Sequence, residues 1–307
     1  MKKKLFILLT IVLVSCVVIP YIFIPSTITV SSAVVTIASP NGAGRYVLNQ
    51  SGWSKWWNST NNHFVYQSDT FLFSNKFFKS VNITILHGRD SIKSRLDLLP
   101  LQEDTTGIQW SYSFPSSQNP FKRIEQYQDA GTVKKNMDGI LLQLKSFLDK
   151  PENIYNIAIS RTSTKDTILI STKSISSVYP GTPAIYHQIE QLKTYIASQH
   201  ARQTGNPIYN ITQLDHHQFQ LMTAIPVDKI LPDNGSFAFK RMIPGSFMVT
   251  EVTGGEQTVS QALQNLLLYF ADYHKTSMAI NFQMLVTDRL KEPDTSKWVT
   301  RIYQPVY

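Results

Sequence analysis

The feature that most constrains this chain is an internal duplication: residues 167 to 306 read as one β-α-β-β unit written twice. The first copy has a β-rich segment at 167–172, a helix at 183–199 and strands at 208–213 and 218–225. The second repeats that order, with a strand at 247–252, a helix at 256–274 and strands at 279–286 and 298–303. Aligning Leu192-Lys193-Thr194-Tyr195-Ile196 with Leu266-Leu267-Leu268-Tyr269-Phe270 gives an offset of 74 residues, and the strand-ending Asp215 and Asp288 lie 73 apart. Each helix carries one apolar face, Ile185, Ile189, Leu192 and Ile196 in the first and Leu263, Leu266, Leu267 and Phe270 in the second, so each covers a sheet. Thr182 reads as the cap of the first helix with Pro183 in its first turn, and Thr253 with Glu256 reads as a capping box for the second. Two such units can pair their sheets and leave a concave seam, the kind of place where small ligands bind.

The 307 residues suffice for two ordinary domains plus an anchor, and the apolar content is that of globular protein. The net charge of +8 includes three lysines at positions 2 to 4. The rest is spread thinly, with 13 basic against 10 acidic residues over 25–153 and 13 against 11 over 154–307. No basic stripe results, and nucleic acid is not expected as a partner. Residues 5 to 24 are an uncharged apolar run of 20, long enough for a bilayer core, and no Lys or Arg follows until Arg45. The expectation is a single-pass helix in the cytoplasmic membrane, N-terminus inside and both domains outside. The alternative is a lipoprotein anchored at Cys16, which follows Leu13-Val14-Ser15. Cys16 is the only cysteine, so beyond the anchor disulfides, a thiol nucleophile and thiolate metal sites are excluded.

Ahead of the duplication, residues 28 to 37 alternate as a strand. Trp53-Ser54-Lys55-Trp56-Trp57 puts three tryptophans in five residues, read as a hydrophobic plug on a small sheet, with a carbohydrate or membrane platform as the other reading. Strands at 64–67, 71–73, 81–87, 92–98 and 107–114, separated by turn residues, imply an antiparallel sheet. Asn119 as cap and Pro120 then open a helix whose better half is 133–148, with Gly131 as a possible kink.

This order, with the Trp53–Trp57 segment, Thr106-Gly107-Ile108-Gln109-Trp110 and Met137-Asp138-Gly139-Ile140-Leu141-Leu142-Gln143-Leu144-Lys145, resembles the helix-grip fold of the START and polyketide-cyclase-like (SRPBCC) superfamily over about residues 28 to 150. In that family the groove between sheet and helix commonly holds a hydrophobic ligand. Residues 155 to 306 resemble the gyrase-inhibitor-like (GyrI-like) effector-binding domain of bacterial transcription activators. The carriers are Tyr179-Pro180-Gly181-Thr182-Pro183, Gly205-Asn206-Pro207-Ile208-Tyr209, Ala224-Ile225-Pro226-Val227, Ile243-Pro244-Gly245-Ser246-Phe247, Gly254-Gly255, and the ending from Glu292-Pro293-Asp294 to Gln304-Pro305-Val306. The resemblance implies an aromatic-lined pocket between the repeats for amphipathic, often cationic molecules. Where family members commonly carry a glutamate, and an aromatic two residues later, this chain has Gln283 and Leu285. Gln283 hydrogen-bonds but cannot carry charge or take a proton, which weakens both cation specificity and hydrolysis. The family's histidine near the helix-two glycines is replaced by Val252 and Thr253.

Candidate ligand-binding residues are Tyr186, Tyr209, Phe219, Phe247, Glu251, Tyr269, Phe282 and Gln283. No catalytic residue, metal site or cofactor is assigned. His216 and His217, adjacent on a strand, would point to opposite faces and cannot share one ion. The expected architecture is α+β: a membrane anchor at 1–25, a helix-grip domain at 26–150 in which an antiparallel sheet wraps a long C-terminal helix, and a duplicated effector-binding domain at 155–307. The expected function is membrane-tethered, non-catalytic binding or sensing of a small amphipathic or hydrophobic molecule. The alternatives are a small-molecule hydrolase, for which Glu251 is the candidate base, and an envelope interaction protein using an exposed tryptophan cluster.

Overall fold

The structure, a computed structural model, describes residues 17–57, 59–60, 63–165, 167–277 and 279–306. It is α+β and divides into two compact units, Met1–Lys150 and Pro151–Tyr307.

Most of the expected membrane span lies outside the described residues, as does Cys16. Residues 17–23 are helical, and a stretch of that length rises about 10 Å against a hydrocarbon core of about 30 Å. Among the described residues no helix is long and apolar enough to cross a membrane. This finding overturns the single-pass membrane localisation expected from the apolar run.

In the first unit the strands are β1 (Thr27–Thr36), β2 (Ser59–Thr60), β3 (His63–Tyr66), β4 (Asp69–Lys76), β5 (Ser80–His87), β6 (Asp90–Gln102) and β7 (Thr105–Pro115). Among the described residues they form one antiparallel sheet in the order β1-β7-β6-β5-β4-β3-β2. The segment between β1 and β2 winds into two short helices, α1 (Pro40–Val47) and α2 (Gln50–Trp53). Alternation sends Val81, Ile83, Ile85, Leu96, Leu98, Ile108 and Trp110 to the buried face. Helix α3 (Pro120–Leu148) runs unbroken through Gly131, its start held by the Asn119 side chain, which accepts from the Phe121 and Lys122 amides. It buries Val133, Met137, Ile140, Leu141, Leu144 and Leu148 and lies against β1. Gly139 makes room for the Tyr66 ring, with which a Cβ there would collide. Trp53, Trp56 and Trp57 are buried and pack edge and face on one another and on Phe64 and Phe71, so the cluster is a plug and not a platform.

The second unit opens with helix α4 (Pro151–Tyr155). Its strands are β8 (Ser160–Thr164), β9 (Thr167–Ser176), β10 (Ile208–Asp215), β11 (Gln218–Pro226), β12 (Ala238–Met242), β13 (Gly245–Thr253), β14 (Phe282–Leu285) and β15 (Val299–Pro305). Among the described residues they make one sheet in the order β12-β9-β11-β10-β14-β15-β13-β8. The first repeat contributes β9-β11-β10 and the second β14-β15-β13, the same order mirrored about the β10/β14 junction. The paired sheets are therefore one continuous sheet, closed at the edges by β12 and β8, which the repeat pattern did not contain. Helices α5 (Thr182–Ser198) and α6 (Glu256–Asp272) follow β9 and β13. Helix α5 buries Ile185, Ile189, Leu192 and Ile196 against Ile170, Leu221, Ile225 and Leu285 on one face of the sheet. The other face carries Leu169, Ile208, Ala224, Phe247, Val249 and Phe282.

Two helix starts differ from the expected caps. The N-cap residues are Gly181 and Gly255, neither with a side-chain cap, so Thr182 is already inside its helix. Thr253 is still paired in β13 with Val299, and Gly254 turns the chain at φ +145°, a conformation closed to Thr. Glu256 is thus the first helical residue, too early to close a capping box.

Candidate functional site

The candidate site is the seam of the second unit, where β10 meets β14 over two register pairs, Ile208 with Met284 and Tyr209 with Gln283. One row of residues crosses the sheet there: Thr172, Thr223, Tyr209, Gln283, Ile302 and Thr250. Tyr209 lies in the cluster that α5 covers, which places the row on the helix side. The hydroxyls of Thr223 and Thr250, one from each repeat, are buried with no hydrogen-bond partner among the described residues.

The two helix starts come together above this row. Glu256 Oε1 accepts the Thr182 amide at 2.5 Å, so the acid at the start of α6 caps α5 instead of its own helix. Arg289, on the turn after β14, enters from the side and is only 5% exposed. Its Nη1 donates to Thr182 Oγ1 and its Nη2 to Thr300 Oγ1, each at 3.0 Å, and its backbone amide donates to the Tyr186 hydroxyl at 2.6 Å. The guanidinium also lies 4.8 Å from the Trp298 ring centroid, whose indole is fixed by donation to the Glu292 carbonyl. Every polar side-chain partner of this cation is neutral; among the described residues Arg289 makes no ion pair.

Burial pushes the Tyr209 hydroxyl up to about 12, Arg289 pulls it the other way, and Tyr179 and Glu256 add to the rise. Tyr186 and Tyr179 are also raised, first by burial, with Glu256 adding at Tyr179. The sign of the linkage is fixed: Tyr209 is neutral in both states below pH 10.0, and above that the unfolded chain loses its proton first. Stability therefore falls between about pH 10 and 12, by about 2–3 kcal/mol at ~1.4 kcal/mol per unit. The Tyr209→Phe variant is expected to lose less stability than wild type across that window in urea titrations. Identical slopes would contradict the burial of this phenol.

The eight candidates from the sequence fall in three places. Tyr186, Tyr209 and Gln283 gather at the seam, and Phe219, also on the helix face, lies at its margin with its ring 5.5 Å from Tyr179. Phe247 and Phe282 are on the opposite face, where Phe282 stacks on Tyr303 at 4.7 Å. Glu251 shares that face, 51% exposed and bound through Oε2 to Arg301 Nε at 2.7 Å. Tyr269 packs on Tyr155 and Tyr273 away from the sheet. The expected strand at His216 and His217 is instead the turn joining β10 to β11. The sequence reading missed Arg289, since an arginine in a turn is normally exposed and nothing local marks it as buried.

No family model matches the chain, and no curated protein matches it. Among solved structures, it is similar to the EcmrR C-terminal domain at 13% identity and TM-score 0.43, covering 49% of this chain and 98% of that one. SAV2435 bound to tetraphenylphosphonium matches at 17% identity and TM-score 0.33, over 49% of this chain and 94% of its own. A hydrolase from Listeria innocua matches at 9% identity and TM-score 0.36, over 48% and 91%.

Proposed function

We propose that this chain binds a small amphipathic molecule at the seam of its second unit, and that the ligand's head group is an anion held by Arg289. The observation that carries this reading is a buried guanidinium that makes no ion pair among the described residues. Removing a cation from water costs several kcal/mol unless an anion and further hydrogen bonds offset it. Two hydroxyls and an indole face offset part of that cost. A carboxylate or sulfonate would offset the rest, because the guanidinium fork suits bidentate acceptors. The converging starts of α5 and α6 add their positive ends to the same place. Gln283 supports the sign, since a neutral amide beneath the site neither attracts a cation nor repels an anion. The ligand's apolar body would lie among Tyr186, Tyr209 and Trp298, and its entry requires the helix starts to part at the Thr182–Glu256 bond.

For the hydrolase reading, neither Glu251 nor Glu256 is a free base. Glu251 is exposed and ion-paired, and Glu256 is committed to the Thr182 amide.

The test is a melting-temperature comparison with phenylbutyrate, phenylbutanol and phenylbutylamine, which share one body and differ in head group. The carboxylate is expected to raise the melting temperature most, with about 2.7 kcal/mol of added stability at a hundredfold excess over Kd. A larger shift with the amine, or none with any of the three, would refute the proposal.

A further inference from the structure

The first unit holds a second constellation, unconnected with the seam. Between the sheet and the N-terminal half of α3 lies a cavity of about 320 Å³, lined among others by His87, Ile92, Tyr112, Phe114, Asp129 and Ala130. His87 ends β5 at the tight turn through Gly88, and Asp69 opens β4, so neighbouring strands bring them together. Asp69 is fully buried. Its Oδ1 meets His87 Nδ1 at 2.5 Å, and its Oδ2 accepts from Asn136 Nδ2 at 2.8 Å. With both oxygens engaged, Asp69 takes the Nδ1 side of the ring and turns Nε2 toward the cavity wall. Nε2 lies 3.9 Å from Asp129 Oδ1 at the cavity wall. Across the cavity Tyr112 is 5% exposed, and its hydroxyl is buried with no hydrogen-bond partner among the described residues.

We propose that this groove is a proton-transfer site in which His87 Nε2 is the base and the Tyr112 hydroxyl is the donor to a developing oxyanion, acting on a small carbonyl compound. Nε2 takes a proton from the carbon beside the carbonyl. The C–H pair becomes a C=C bond, the carbonyl π pair moves to oxygen, and that oxygen accepts the Tyr112 hydrogen bond. The imidazolium is balanced by Asp69, which with Asn136 acts as a positioning residue. Return of a proton to carbon restores the carbonyl compound, so no oxidant or co-reactant is required. Burial, and then the charges of Asp69 and Asp129, raise the Tyr112 pKa, so the hydroxyl keeps the proton it donates. Ile92, Phe114 and Ala130 supply apolar wall for the rest of the molecule, and nothing in this step calls for a covalent intermediate.

The experiment follows hydrogen–deuterium exchange of β-tetralone in deuterium oxide by proton NMR, with the full chain at catalytic concentration. Wild type is expected to exchange the acidic protons faster than an equal concentration of free imidazole. His87→Gln should lower the rate about a hundredfold or more, and Tyr112→Phe about tenfold to a hundredfold. Tyr112→Phe removes only a hydroxyl that has no partner among the described residues, so its melting temperature should stay at or above wild type. That separates lost chemistry from lost fold. Exchange no faster than imidazole, or unchanged in either well-folded variant, would overturn the proposal.

Discussion

Replacing Trp53 by alanine is expected to lower the stability of the first unit by about 4 kcal/mol, since truncating a buried aromatic costs about 3–5 kcal/mol. Trp53 is 1% exposed, with ring centroids of Trp56, Trp57, Phe64 and Phe73 all between 5.2 and 5.7 Å away. Its indole donates to the Val47 carbonyl at 2.7 Å, so the substitution also orphans the end of α1. Urea unfolding followed by tryptophan fluorescence reads this directly. The same burial removes the reading of residues 53 to 57 as a docking surface for an envelope partner. A loss below about 1 kcal/mol would mean that the cluster is not packed and would reopen that reading.

Arg289→Met has the second large expected effect, on binding and not on stability. Exchanging a buried charge for an apolar side chain of similar length removes its desolvation cost, which is several kcal/mol for an ion. Against this stand two charge-assisted hydrogen bonds to Thr182 and Thr300, about 1.5–3 kcal/mol each, and the contact with Trp298. The ligand-free variant is therefore expected within about 1 kcal/mol of wild type, or above it. A loss of about 3 kcal/mol or more would identify Arg289 as a structural strut and weaken the ligand reading.

The duplication was legible because each repeat carries its own period, strand alternation and then a helical face. The mirrored strand order and the pairing of Tyr209 with Gln283 were not in that reading and come from the structure. Alternation also shows why the candidate set divides: Phe282 and Gln283 are neighbours on one strand and point to opposite faces, so one pocket cannot hold both. Strands β8 and β12 were missed because Ser160–Thr164 and Ala238–Met242 are largely polar or exposed edge segments without a strong pattern. The features that matter most for chemistry are long-range and leave no local trace. Arg289 meets Thr182 across 107 residues, Glu256 meets it across 74, and Asp69 meets Asn136 across 67. The apolar run at 5–24 shows the converse limit, since hydropathy alone promised a membrane span that no described helix provides.

The proposed occupant of the seam is an anion held by Arg289. Calorimetric titration of phenylbutyrate into wild type and Arg289→Met tests it most directly. Losing a charge-assisted hydrogen bond worth about 1.5–3 kcal/mol predicts a Kd that rises about tenfold to a hundredfold in the variant, with phenylbutanol affinity little changed. Equal affinity of phenylbutyrate for both proteins would contradict the account.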